Sequence, residues 1–332
     1  MNRIPVILIL FFLTACSDNK QEIIKIEKSS IVSDHSGAEI LINYFSNGNR
    51  VDNELTTHQG YQLIFDHSKK YSSDPITKDD LTNALNGEIT VFNFEKVSTR
   101  IDSLKSTIQF LKNNEKEILK EYANLPLKYL PQEYSQNATL FYVIGGYNGI
   151  AMNDKICINI DYKPFRKNYN EIKLYIAHEL FHIGFEKYHP LPDILGAKKV
   201  KDLKEIVLSM TMNEGLATLT PFQKRIEINE LNDYDYEVLL DSAKLNQKLI
   251  QFNNVMTFLD NNLEKEITNE ILGKVLGQCS GDRLFYIVGC HMGLTIEKEY
   301  GASEIVQLIK KDPKVFFKTY NKIKVANTVY SK

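Results

Sequence analysis

Residues 178–182 read His-Glu-Leu-Phe-His. Two histidines four positions apart stand one above the other on the same face of a helix. Their imidazoles can grip one metal ion. Glu179, about 100° round the helix, can reach a water bound to that ion. The neighbours suit this chemistry. From Leu174 to Phe185 the only residues that carry charge are His178, Glu179 and His182, and the rest are apolar apart from Tyr175. A helix apolar nearly all round is buried. Three buried polar groups left unpaired would cost on the order of several kcal/mol. A metal partners all of them at once. The alternative is a set of core histidines whose spacing is coincidental.

Two histidines do not complete a catalytic zinc site, which takes a third protein ligand and keeps one position open for water. Glu214 is the leading third ligand. It sits in Met212-Asn213-Glu214-Gly215-Leu216-Ala217-Thr218, near the end of a helix expected over 198–220. From Val207 onward that helix turns apolar, and Glu214 is its only charge before Lys224. Gly215 and Ala217 would let it approach another helix closely. Otherwise Glu214 is a buried carboxylate bonded to backbone or tyrosine. Glu186, His189 and Asp193 compete as ligands. A carbonyl attacked by activated water gathers negative charge and needs a donor. Tyr286 and His291 are the candidates. On the alternative reading, Gly289 and Gly293 serve close helix packing, and Tyr286 and His291 are polar core residues.

The pair of motifs, His178-Glu179-x-x-His182 and then Asn213-Glu214-Gly215-x-Ala217, resembles the gluzincin metallopeptidases. The resemblance implies zinc held by His178, His182 and a glutamate on a second helix, here Glu214. It also implies a peptide or protein substrate and a hydrolysis in which Glu179 is the general base. More narrowly, Thr139 to Tyr320 resembles bacterial lipoprotein families classed as zinc-dependent peptidases. These share a strand-turn-strand before the metal helix and a later helix like Tyr286-x-x-Gly289-x-x-Met292. The alternative, from another class, is a non-catalytic binding lipoprotein with the metal as a structural clasp.

The supporting elements follow from pattern. Short amphipathic helices are expected at Ala38 to Phe45 and Thr56 to Tyr71. Thr77 with Asp80 forms a capping box before Asp79 to Leu85. Val97 to Glu121 carries a 3.6-residue apolar period, with Asn113-Asn114 as a potential break. Two strands, Thr139 to Ile144 and Lys155 to Asp161, flank the Gly145–Gly149 turn and are expected to pair antiparallel. That turn could leave strand 155–161 as an edge that pairs with an extended peptide. Tyr169 to Tyr188 reads as the metal helix, with Asn168 or Asn170 as N-cap. Further helices are expected at 198–220, 234–260, 263–275, 281–299, 303–311 and 313–323. The fold class is α+β, mainly α-helical, and the family resemblance makes it gluzincin-like with a small antiparallel sheet before the metal helix.

The beginning of the chain reads as an address. Arg3 precedes an apolar run, Ile4 to Leu13, that is too short to span a membrane. Leu13-Thr14-Ala15-Cys16 resembles the lipobox of bacterial lipoproteins, which implies cleavage before Cys16 and lipidation of it. Ser17 after the cysteine favours the outer membrane, with the protein facing the periplasm or cell exterior. The expected divisions are a signal peptide at 1–15, a tether at 16–36, a helical region at 37–130 and a zinc peptidase-like domain at 131–332. Cys157, Cys279 and Cys290 are an odd remainder and read as free, buried thiols. A formal net charge of -2 gives no basic footprint for nucleic acid. His35, His58 and His67 lie in polar N-terminal stretches and are expected at the surface.

Overall fold

The computed structural model describes residues 24–26, 29–48 and 52–330. The expected signal peptide and Cys16 lie outside the described residues. Five strands form one mixed sheet: β1 Ile24–Ile26, β2 Ser29–Asp34, β3 Gln136–Val143, β4 Gly149–Met152 and β5 Lys155–Asn159. Their order is β1-β2-β3-β5-β4. Residues 24–26 and 29–34, expected as tether, are therefore part of the sheet, and Ile31 is buried in the core.

The sheet corrects the expected antiparallel pairing. β3 and β5 run parallel, with Phe141 opposite Cys157, and the antiparallel partner of β5 is β4. The chain turns back twice between β3 and β5, which restores its direction. The first reversal uses Gly145 and Gly146, both at positive φ. The second is a two-residue hairpin turn at Asn153 and Asp154, also both at positive φ, as a type I′ turn requires. β4 was hidden because Gly149 reads as a turn residue. β4, not 155–161, is the edge of the sheet.

Among the described residues fourteen α-helices accompany this sheet. The first five are α1 Ser36–Asn47, α2 Asp52–Thr57, α3 Gln59–Tyr71, α4 Lys78–Leu85 and α5 Ile101–Tyr122. The Thr77–Asp80 capping box is formed on α4. α5 runs unbroken through Asn113-Asn114, because the Asn114 side chain donates to Phe110 O one turn back and leaves the ladder intact. Next come α6 Tyr169–Glu186, α7 Val200–Leu219, α8 Phe222–Glu227, α9 Tyr234–Leu240 and α10 Ser242–Asp260. Asn168 caps α6 by accepting from Asn170 N–H. The helix expected over 234–260 is two, because Asp241 is extended and its carboxylate takes the N–H groups of Ala243 and Lys244. The last four are α11 Asn269–Leu276, α12 Leu284–Tyr300, α13 Ala302–Ile309 and α14 Pro313–Tyr330. Among the described residues no helix is long and apolar enough to cross a membrane.

Two apolar clusters fill the molecule, and α6 is the wall between them. Ile172, Ile176, Ala177, Leu180 and Ile183 face the cluster shared with the sheet and α1–α5. Phe181 and Phe185 face the cluster shared with α7, α10 and α12–α14. This is why α6 is apolar nearly all round. Cys157, Cys279 and Cys290 are free and buried.

Candidate metal centre and active site

His178 and His182 lie on consecutive turns of α6, and their Nε2 atoms are 3.1 Å apart. Glu214, from α7, brings Oε2 to 3.6 Å from His178 Nε2 and 3.4 Å from His182 Nε2. Three donor atoms thus form a nearly regular triangle. A tetrahedral zinc with ligand bonds of about 2.0–2.1 Å holds its donors roughly 3.3–3.4 Å apart. The triangle has that size, so the residues fit the ion. Among the described residues this is the one group of metal-binding side chains with such convergence.

The electrostatics agree. Burial lowers the pKa of His178 to about 4, which keeps it a neutral donor. Burial also opposes charge on His182, but the Glu214 carboxylate outweighs it and raises that pKa to about 10. Burial would raise Glu214, and the two histidines overcome this and hold it ionised. Without an ion the cation held by the carboxylate is the His182 imidazolium, and a metal entering the triangle takes the place of that proton. Asn213, the residue before Glu214, places Oδ1 2.8 Å from His182 Nδ1. That contact fixes the ring so that Nε2 faces the triangle.

Glu179 is 5 % exposed and points at the edge strand rather than into the core. A β-carbon at Gly149 would meet its Oε1 at 2.6 Å, so a larger residue where β4 passes the carboxylate would displace the Glu179 side chain. Burial pushes Glu179 up to about 7. Tyr286, on α12, lays its ring nearly parallel to His178, with centroids 6.4 Å apart. Burial raises its pKa, so the phenol keeps its proton. All these groups line one cleft of about 410 Å³, walled by β4, α3, α6, α7 and α12. The family described as "Putative zinc dependent peptidase (DUF5700)" matches residues 34–328. The chain belongs to that family. No curated protein and no solved structure matches it.

In this member of the DUF5700 family, the structure brings His178, Glu179, His182, Glu214 and Tyr286 together in the cleft. It does not bring His291 there. His291 packs edge-on against Tyr320, away from the cleft, because it stands on a different face of α12 from Tyr286. None of the competing ligands joins the triangle, although Glu186 lines the same cleft. Glu186 accepts from Asn153 N–H, His189 bonds Ile309 O, and Asp193 accepts from Gly196 N–H.

The three N-terminal histidines are not surface residues. The helices α1–α3 pack on the sheet, burying His35 and half-burying His58 and His67. His35 stacks on Tyr142 with centroids 4.7 Å apart. His58 Nδ1 accepts from Gly60 N–H and caps α3, while Nε2 lies 3.0 Å from Ser36 Oγ. His67 lines the cleft between Tyr71 and Tyr147. Sequence reasoning also passed over Arg283 and Asp235, which pair in the cleft wall across α9 and α12. No local pattern marks a pair so far apart in the chain.

Proposed function

We propose that the chain is a gluzincin-type zinc peptidase in which Glu179 is the general base. The observation that carries this reading is the position of Glu179. It flanks a tetrahedral-sized His178–His182–Glu214 triangle and faces the cleft. Bound zinc lowers the pKa of a ligated water to about 7 and polarises a carbonyl.

The chain's own groups supply the rest. Glu179, poised near pH 7 by burial, takes the proton of the attacking water and hands it to the leaving amine. The Tyr286 phenol, still protonated, is the donor for the carbonyl oxygen as charge gathers on it. Asn213 holds His182 in orientation throughout. The free edge of β4 offers backbone N–H and C=O groups to an extended peptide, which would add to the sheet as one more strand.

The test compares wild type with Glu179→Gln on a diverse peptide library. The substitution keeps shape and should keep zinc, while hydrolysis falls by about 10²–10⁴-fold. Equal cleavage by both proteins rejects the mechanism. Cleavage by neither puts the binding-lipoprotein reading ahead.

The lipobox reading places this site at a bacterial membrane through lipid on Cys16, with the outer membrane favoured by Ser17. Cys16→Ser should end metabolic labelling with a fatty acid. Labelling that persists in the variant removes the anchor.

A further inference from the structure

Arg283 is the one residue of the cleft held in a left-handed backbone conformation, at φ 64, immediately before α12. Such a conformation is strained for a non-glycine residue and is tolerated where the surroundings hold it. Here Asp235 holds it. The Asp235 carboxylate, 4 % exposed, accepts from Nε and Nη2. The guanidinium carbon also sits over the Tyr286 ring, 3.3 Å from its centre. Tyr286 in turn stacks on the ligand His178. Arg283 is thus held by two groups, Asp235 and Tyr286, next to the reacting centre. Its side chain remains 33 % exposed on the cleft wall, and Nη1 has no hydrogen-bond partner among the described residues.

A guanidinium pinned in this way, with one free edge towards a cleft, is a preorganised receiver for a carboxylate. The edge strand gives the direction. Arg283 lies on Tyr286, Tyr286 stacks on His178, and His178 has its ring centroid 6.2 Å from that of Tyr175, whose hydroxyl accepts from Asn148, so Arg283 belongs to the end of β4 where Gly149 begins the strand. Glu186 stands at the opposite end, bonded to Asn153 N–H just after the strand. A peptide lying antiparallel to β4 runs its C-terminus towards Arg283 and its N-terminus towards Glu186. The reverse direction would set an ammonium against the guanidinium and a carboxylate against Glu186.

We infer that Arg283 binds a carboxylate of the substrate on the leaving-amine side of the cleft, so that the preferred substrates are peptides ending close to the scissile bond. This rests on the peptidase reading above and names its substrate class. The carboxylate of a C-terminus and that of an aspartate or glutamate side chain share the chemistry, and the direction along β4 favours the C-terminus.

The test uses three mixtures of randomised hexapeptides: free acids, amides, and amides with Asp or Glu at the final position. Each is passed over immobilised, zinc-loaded full-length chain carrying Glu179→Gln, and retained peptides are counted by mass spectrometry. Free acids should be retained about ten-fold or more over amides, the size of a charge-assisted contact. The doubly substituted Arg283→Gln/Asp235→Asn chain, which leaves no lone buried charge, should keep its zinc and lose the discrimination. Retention of the acidic-ended amides alongside the free acids assigns the contact to any carboxylate. Equal retention of all three mixtures, retention of none, or discrimination that survives the double substitution overturns the proposal. Loss of cleavage in wild type with discrimination intact would sink the hydrolase reading alone.

Discussion

Gly215 and Gly289 meet backbone to backbone. A β-carbon on Gly215 would stand 2.2 Å from the Gly289 carbonyl carbon, and one on Gly289 would stand 2.1 Å from Thr211 O. The crossing of α7 and α12 at this point puts Glu214 and Tyr286 on the same cleft. Neither neighbour can yield, since both are helix backbone. Gly215→Ala should therefore cost at least the roughly 1–3 kcal/mol of an overpacked core and should also loosen zinc, because Glu214 is the adjacent residue. Denaturant titration in chelator reads the first effect and zinc competition the second. An unchanged midpoint would show that the helices do not depend on this contact.

The metal site makes a graded prediction. Purified chain should carry close to one zinc, and His178→Ala or Glu214→Ala should reduce binding by several kcal/mol. Asn213→Ala should do less, about 10–100-fold in affinity, since it orients His182 without touching the ion. Competition against a fluorescent chelator gives all these numbers. If Asn213→Ala matched Glu214→Ala, Asn213 would be acting as a ligand, not an orienter.

His35 gives the fold a dependence on acid. Burial against Tyr142 lowers its pKa from 6.5 to about 4, with Lys112 adding and Glu39 and Asp34 opposing. The unfolded chain takes up this proton near pH 6.5 and the folded chain only near pH 4. Its stabilising contribution is therefore whole above about pH 6.5, falls as pH drops, and is gone below about 4. The full span is on the order of 3 kcal/mol. His35→Phe keeps the stacking and removes the proton, so its stability should fall less over that range. Parallel pH profiles for the two proteins would refute this.

The legible parts of the chain were those with local causes. The α6 histidines announce themselves by spacing and by an apolar surround. Glu214 stands out as a lone charge in an apolar stretch, and Thr77 with Asp80 is a short-range capping signal. What escaped detection depends on distant partners. β4 is four residues long and begins with a glycine, so no alternation could mark it. His67 reaches the cleft only because α3 lies on the sheet. His291 was a fair candidate by type, and the phase of α12 turns it away. Arg283 and Asp235 gain meaning only when α9 meets α12.

Ser36, His58 and Asp34 illustrate how a suggestive trio can be inert. Ser36 Oγ is 2.5 Å from Asp34 Oδ1 and 3.0 Å from His58 Nε2. His58 Nδ1, however, accepts the Gly60 N–H, so the proton of the ring sits on Nε2, which has no lone pair left to activate the serine. The trio closes the junction between β2 and the helices that follow.

That junction has a temporal side. β2 lies parallel to β3, with Ser29 opposite Gln136, roughly a hundred residues further along. A ribosome makes β2 early and its partner much later. In the interval α1 to α5 can form from local contacts, while the strand waits with an unpaired edge. The central sheet, and with it the β4 rim of the cleft, closes only after β3 to β5 have been made. Assembly of this molecule therefore does not follow the order of its synthesis, and the waiting strand is the point at which a delayed chain would meet another copy of itself.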